Sequence, residues 1–374
     1  MHRRAWALLL PLSLAACGPP LIRARDIPPP PVPMAESATA AVPTLPPDYA
    51  ATPEAVDLVD PRAVALAPDG SPVVVEGVPA RLTRIEADGR LVPLAQGGGN
   101  GPWTAAAWVG GRFYVAEAGA PGGLGGRILR VDPGGGLAPV LEGLPAGTPA
   151  TLTAGPDGAL YVAVSSATNA GVPVPGSARD VPCEKVDLRN GRHLAGHTPC
   201  TGAVLRMPPG GDTEVYAWGF RRPVGLAFAP DGRLLLAEQS YRADPVRAVQ
   251  AQPDLLWAVT PGVWYGWPDY QGQLALADPL LADVPNPPPP PLSTLAGEVR
   301  GLAVASDPVF GPPGEPFVAL TGGTVAFVDP RGGQTPFAAG LREPTALAFS
   351  PDGRILWVAD AGSGRLWRIT APGR

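Results

Sequence analysis

Residues Ala346–Asp360 read ALAFSPDGRILWVAD, and three other stretches repeat that plan: Ala63–Glu76 (AVALAPDGSPVVVE), Thr151–Val164 (TLTAGPDGALYVAV) and Gly225–Glu238 (GLAFAPDGRLLLAE). Each is an apolar run, a Pro-Asp-Gly turn and a second apolar run. Proline presets φ, aspartate can accept from the backbone ahead of it, and glycine takes the positive φ that follows, so the pattern encodes a β-hairpin. Two degenerate copies complete the series: Thr104–Glu117 turns at Gly110-Gly111, and Gly301–Leu320 has a longer connection. A third apolar segment follows each hairpin, at Ala80–Ile85, Gly126–Val131, Gly202–Met207, Asp254–Val259, Gly323–Val328 and Gly364–Ile369. Segments such as Pro139–Leu144 and Thr335–Leu341 supply fourth, outer strands. Six units of four short antiparallel strands predict an all-β, six-bladed β-propeller over residues 48–374. The last unit ends soon after its third strand, so residues near Tyr49–Val59 are expected to supply its outer strand and close the ring.

Composition agrees. With 52 prolines and 48 glycines among 374 residues, few windows are long enough for a helix. A hydrophobic share of 45% against 16% charge is too apolar for a disordered chain. The net charge is -5, with no basic stripe, so nucleic acid has no electrostatic footprint here. The chain is expected to act as a monomer.

The N-terminus reads as an address. Met1-His2-Arg3-Arg4 is basic, Ala5–Leu14 is apolar, and Leu14-Ala15-Ala16-Cys17 resembles the lipobox of bacterial lipoproteins. The apolar run is too short to span a bilayer. Residues 1–16 are therefore expected to be a signal peptide, with Cys17 lipidated and the protein held at the bacterial cell envelope, exported to the periplasmic or extracellular face. An ordinary secreted protein is the alternative. Residues 17–47, with Pro28-Pro29-Pro30-Pro31, form an extended tether. Export permits disulfides, and removing Cys17 from the pool leaves Cys183 and Cys200 as a candidate local pair.

One region is distinctive. Gly219-Phe220-Arg221-Arg222-Pro223-Val224-Gly225-Leu226-Ala227-Phe228 is followed by Leu235-Leu236-Ala237-Glu238-Gln239 and then by Tyr265-Gly266-Trp267-Pro268. This order resembles the soluble glucose/sorbosone dehydrogenase family, whose pattern is G-x-R-N-P-x-G-L-A-F, a strand, and Y-G-W-P. The resemblance implies pyrroloquinoline quinone on the central face, calcium polarising it, and a histidine base taking a proton from a sugar hydroxyl as hydride moves to the quinone. It assigns the cofactor to Arg221, with Arg222 at the asparagine position, and calcium to backbone carbonyls near Ser240 and Tyr241. It places the base at Gly147 and its orienting aspartate at Ser166, neither of which can do that work, and a blade-five histidine at Ala296 or Thr321.

Beyond the leader, the histidines are His193 and His197, in an insertion at about residues 167–201 that leaves blade three beside the expected site. They read as a substitute base on a lid, as a metal pair at i, i+4, or as incidental residues of a surface loop. Glu76, Glu117, Glu238 and Asp360 each close a second strand, three of them followed by Arg81, Arg127 or Arg365 opening the third. They form either an anionic ring for calcium or internal acid–arginine pairs and backbone caps. Three functions follow: a quinone-dependent oxidoreductase acting on a sugar or related alcohol, a non-catalytic propeller binding carbohydrate or an envelope protein, and a calcium-dependent lactonase-like hydrolase.

Overall fold

A computed structural model of the chain describes residues 41–120, 125–187, 192–195, 198–244, 246–280 and 287–371. The leader, Cys17, most of the tether and His197 lie outside these residues.

Six four-stranded antiparallel sheets follow one another along the chain. Blade one is Pro61–Leu66, Pro72–Glu76, Arg81–Ile85 and Leu91–Gln96, and blade two is Trp103–Val109, Arg112–Glu117, Gly126–Val131 and Leu137–Leu144. Blade three is Ala150–Ala154, Leu160–Val164, Ala203–Met207 and Glu214–Trp218, and blade four is Arg222–Phe228, Leu234–Gln239, Asp254–Val259 and Ser293–Leu295. Blade five is Val299–Val304, Pro316–Leu320, Thr324–Val328 and Gln334–Ala338, with a 3-10 turn at Pro308–Phe310 in its longer connection. Blade six takes Pro344–Phe349, Ile355–Asp360 and Arg365–Thr370 from the end of the chain and Ala50–Ala55 from its beginning. The first strand of each blade lies innermost, and each touches the innermost strands of both neighbours, the sixth returning to the first. The architecture is the six-bladed β-propeller that the repeat predicts.

The turns work as their chemistry requires. At Pro68-Asp69-Gly70 the Asp69 carboxylate accepts from the Ser71 amide at 3.1 Å, and Gly70 has φ +81°. Second strands are mostly buried, and along their whole length in Pro72–Glu76, Leu160–Val164, Leu234–Gln239 and Pro316–Leu320. A blade is covered on both faces by its neighbours, so these strands read as unbroken apolar runs and not as alternation. The core is accordingly a set of wedges between blades. Val73, Val75 and Leu82 of blade one pack with Val115 and Leu129 of blade two, and Leu226, Leu236 and Trp257 of blade four pack with Tyr161 and Val204 of blade three.

A further regularity shapes the centre. Five of the six innermost strands carry a β-bulge within their first three residues, at Arg62, Thr104, Val224, Arg300 and Thr345. A bulge bends its strand and re-aims the extra side chain. Two of these residues stitch blades together: the Thr104 hydroxyl donates to the Ala150 carbonyl at 2.7 Å, and the Thr345 hydroxyl to the Pro61 carbonyl at 2.6 Å.

Blade six is held to blade one partly by Leu366, fully buried among Ala55, Leu58 and Val74. Leu366→Ala is expected to cost about 2–5 kcal/mol, read from the denaturant midpoint. A cost near zero would mean that the closing strand does not carry the ring.

Candidate functional site

The acids that recur at the ends of second strands are spent on architecture. Fully buried Glu76 accepts from Arg81 Nε at 2.6 Å and Nη2 at 2.7 Å, from the Thr83 hydroxyl at 2.5 Å and from the Val59 amide at 2.9 Å. Burial alone would raise its pKa, but these donors hold it below the usual carboxylate range. Glu117 accepts from Asn100 at 2.7 Å and Arg127 at 2.8 Å. Asp360 accepts from the Glu343 amide at 2.6 Å and the Ser363 hydroxyl at 2.7 Å. Each acid reaches the loop that feeds its own blade's innermost strand. Of the two sequence-based readings of these acids, backbone capping and internal pairing describe their geometry, and an anionic calcium ring does not. Asp360 works through amides and a hydroxyl, while Arg365 lies over the Trp367 ring.

Glu238 departs from the pattern. The third-strand residue opposite it is Leu255 where blades one and two have arginine. Its carboxylate instead accepts from the Arg221 amide and from Trp257 Nε1 at 2.6 Å. Burial pushes this carboxyl up to about 7, against the lowering effect of those two donors.

Arg221, whose amide Glu238 accepts, borders a cavity of about 190 Å³ lined by Gly147, Pro149, Ser165, Ser166, Ala167, Thr168, Asn169, Arg221 and Arg222. The sequence motif explains its position. Gly219 has φ +88°, and a Cβ there would come within 2.4 Å of the Trp264 ring, so only glycine lets that ring lie against the backbone. The Tyr265 and Trp267 amides then donate to the carbonyls of Trp218 and Gly219, both at 2.8 Å, and Tyr265 stacks on Phe220 with ring centroids 4.6 Å apart. Tyr-Gly-Trp-Pro is thus a clamp that fixes the segment delivering Arg221. Arg247, almost fully buried, locks the clamp from below: it pairs with Asp269 at 2.8 Å and donates to the Pro268 and Ala170 carbonyls. On the opposite wall the Ser166 amide donates to the Arg221 carbonyl at 2.7 Å, and Asp180 holds the Ala167 amide and the Thr168 hydroxyl.

Arg221 and Arg222 make no ion pair among the described residues. Arg221 Nη1 donates to the Gln239 carbonyl at 3.2 Å, while its Nε is buried without a partner. Desolvation, then the charges of Arg222 and Arg242, lower its pKa to about 10. Arg222 is lowered too, by desolvation and then by Arg300. Gly147, at φ +78°, opens on the cavity with nothing within 4 Å of a built Cβ, and the Ser166 hydroxyl is turned to the Thr168 carbonyl at 2.6 Å. No carboxylate or imidazole lines the cavity among the described residues. Beside it, the larger central channel, about 500 Å³, is walled mainly by small and apolar side chains, with Arg62 at one of its bulges.

Three polar residues that sequence reasoning passed over join the site. Arg242 contacts Asp254 at 3.5 Å and Glu298 at 3.2 Å, and Arg300 contacts Glu298 at 3.2 Å with its own Nε buried and unpartnered. Ser165 has a buried hydroxyl without a partner. Arg62 and Arg300 occupy equivalent bulge positions, which aligning the six units one residue inside each first strand would expose.

The insertion contributes its near end to the cavity wall, while its far end goes elsewhere. The hairpin Glu184–Asp187 and Arg192–Ala195, which carries His193, lies against the outermost strand of blade three and not over the cavity as a lid. Cys183 and Cys200, bracketing it, are joined in a disulfide. At the expected calcium position the Tyr241 carbonyl accepts from the Gln252 amide at 3.0 Å, and both Asp254 oxygens accept amides, from Ser240 at 2.9 Å and Val299 at 2.8 Å. With the Arg242 guanidinium beside them, these residues do not fit a calcium ion.

Comparison with solved structures finds the same fold in sugar-metabolising propellers. The quinone-bound aldose sugar dehydrogenase of Streptomyces coelicolor superposes with a TM-score of 0.63 at 21% identity, over 88% of this chain and all of that one. The quinone-binding domain of Coprinopsis cinerea pyranose dehydrogenase gives 0.58 at 15% identity, over 88% and 97%. A gluconolactonase of Xanthomonas campestris gives 0.57 at 18%, over 89% and 95%. At these identities the likeness is one of fold. No protein-family model matches the sequence, and no curated protein matches it either.

Glu238 generates a pH signature. Its folded pKa, about 7, lies above its unfolded value of 4.5, so between those limits the folded protein keeps a proton that the unfolded chain has lost. This group therefore makes stability fall as pH rises through that window and stay level above it. The unfolding midpoint is expected to decline from about pH 5 to about pH 7, and Glu238→Gln to flatten that slope. An unchanged slope would mean that Glu238 is ionised throughout.

Proposed function

We propose that this chain is an envelope-anchored lipoprotein whose propeller holds pyrroloquinoline quinone at the Arg221–Arg222 cavity and acts on a sugar or related alcohol. The supporting observation is the pair of adjacent guanidiniums without a carboxylate partner among the described residues, one with its Nε buried and unsatisfied. An unmade hydrogen bond at a buried charged donor is costly, and ligand carboxylates supply the missing acceptors in bidentate geometry. The residues present fit such a group. When bound, the quinone supplies the acceptor for a hydride from an alcohol carbon.

The chain's own part is binding and orientation. Arg221 is held by its amide on Glu238 and its Nη1 on the Gln239 carbonyl, so its remaining donors are preorganised toward the cavity. Asn169 is fixed by the Arg242 amide and carbonyl, at 3.0 and 2.8 Å, and by Asp244 at 2.9 Å, which keeps the wall facing a ligand rigid. Proton removal is the weak step. Gly147 offers no acceptor, and Ser166 Oγ is committed to a carbonyl. Slow or absent turnover follows, and this same observation favours the second reading, a propeller that binds without catalysis. The lactonase reading needs free acids, and the four recurring acids are engaged within their own blades.

Quinone titration followed by absorbance is expected to show binding that Arg221→Gln and Arg222→Gln each weaken about tenfold or more, the loss of one charge-assisted hydrogen bond. Failure of the unaltered protein to retain quinone sinks the proposal. Gly147→His with Ser166→Asp is expected to raise dye-linked sugar oxidation above that of the parent, since histidine tolerates positive φ better than most residues; no gain would place the deficit elsewhere. The anchor rests on Leu14-Ala15-Ala16-Cys17. Cys17→Ser is expected to move the protein from the membrane to the soluble fraction, and unchanged fractionation would contradict lipidation.

A further inference from the structure

We propose that Arg242 takes the place of a metal ion in this site, so that the chain binds a multiply carboxylated ligand through guanidiniums alone. The identity of that ligand rests on the quinone reading above; its charge does not.

The argument starts from the acceptors that a divalent cation would need. Calcium takes six to eight oxygens, carboxylates prominent among them. Here the two carboxylates beside Ser240 and Tyr241 are Asp254 and Glu298; three of their four oxygens accept hydrogen bonds, and the fourth, Glu298 Oε2, lies against the Arg242 guanidinium. Asp254 Oδ1 accepts the Ser240 amide and faces Arg242, and Oδ2 accepts the Val299 amide. Glu298 Oε1 meets Gln239 Nε2 at 3.1 Å and Arg300 at 3.2 Å, and Oε2 meets Arg242 at 3.2 Å. The Tyr241 carbonyl is turned to Gln252. An incoming ion would have to strip these donors and sit against a guanidinium.

Charge points the same way. Arg221, Arg222, Arg242 and Arg300 lie close enough for their charges to act on one another; among the described residues Asp254 and Glu298 form ion pairs with Arg242 and Arg300, and they and Glu238 act on Arg221 and Arg222 without pairing with either guanidinium. Arg221 and Arg222 are left without an ion pair, and the Nε atoms of Arg221 and Arg300, Arg242 Nη2 and the Ser165 hydroxyl are buried without a hydrogen-bond partner. These vacancies are donors. A guanidinium surplus with spare N–H groups is completed by an anion, and a second cation would add to the repulsion.

The test uses the full-length protein, stripped with chelator, with pyrroloquinoline quinone as probe. The quinone is expected to bind equally in excess chelator and in excess calcium, calcium alone to give no calorimetric heat, and Arg242→Gln to weaken quinone binding about tenfold or more. Arg242→Lys, which keeps the charge, is expected to retain most of the affinity, separating charge from folding. Binding abolished by chelator and restored by calcium, or a saturable calcium heat, overturns the proposal. If quinone binds in neither condition, the quinone reading fails and citrate becomes the probe. A rise in unfolding midpoint with citrate that Arg242→Gln removes then upholds the metal-free anion site; no rise, or a rise with calcium instead, overturns it.

Discussion

The pairing of Ala50–Ala55 along Arg365–Thr370 is the constraint on which the rest depends. Without it the sixth blade has three strands and an open edge, and the ring is a stack with two ends. With it, the first strand of every blade meets both neighbours, and the cavity forms where loops of blade three meet the Arg221-Arg222 segment entering blade four, with Arg242 and Arg300 near enough to act on that pair. Arg221, Arg242, Arg300 and Ser166 are far apart in sequence, and no single blade brings them together. The site is a property of neighbouring blades held side by side.

Within that circle, repetition and irregularity divide the labour. The acid that ends a second strand recurs as Glu76, Glu117, Glu238 and Asp360, and in each case it is consumed by the loop entering the same blade. Such buried carboxylates are tolerable because every one is met by several donors. Chemistry gathers where the repeat lapses. Blade four lacks the arginine that would neutralise Glu238, and blade three has Val164 and Ser165 where blades one and two end in glutamate. The first lapse leaves a carboxyl with a raised pKa under Arg221, and the second leaves an unsatisfied hydroxyl beside it. Ser165 lines the cavity, and Glu238 holds the amide of Arg221, which lines it too.

Much of the fold was legible in the sequence because its determinants are local. Pro-Asp-Gly specifies its turn through three adjacent residues, and a continuous run such as Leu234-Leu235-Leu236 announces a strand buried on both faces. The Gly219 to Pro268 motif was legible for the same reason, though its physical role as a clamp beneath Arg221 emerged only with the Trp264 ring against Gly219. Arg242, Arg300 and Glu298 were not legible, since their convergence depends on a bulge and on the packing of blade four against blade five. His193 misled in the opposite direction: its place in an insertion near the site suggested a lid, but the disulfide-bracketed hairpin packs along the outer edge of blade three. Sequence proximity to an active face does not fix which way an insertion folds.

The central claim is that unpartnered guanidiniums, and not a metal, define what this propeller binds. A crystal structure of the full-length protein grown with pyrroloquinoline quinone and calcium tests it most directly. The expected density has quinone carboxylates on Arg221 and Arg222, with the Arg242 guanidinium still against Asp254 and Glu298. Density for a calcium ion liganded by the Ser240 and Tyr241 carbonyls, with Arg242 displaced, would contradict it.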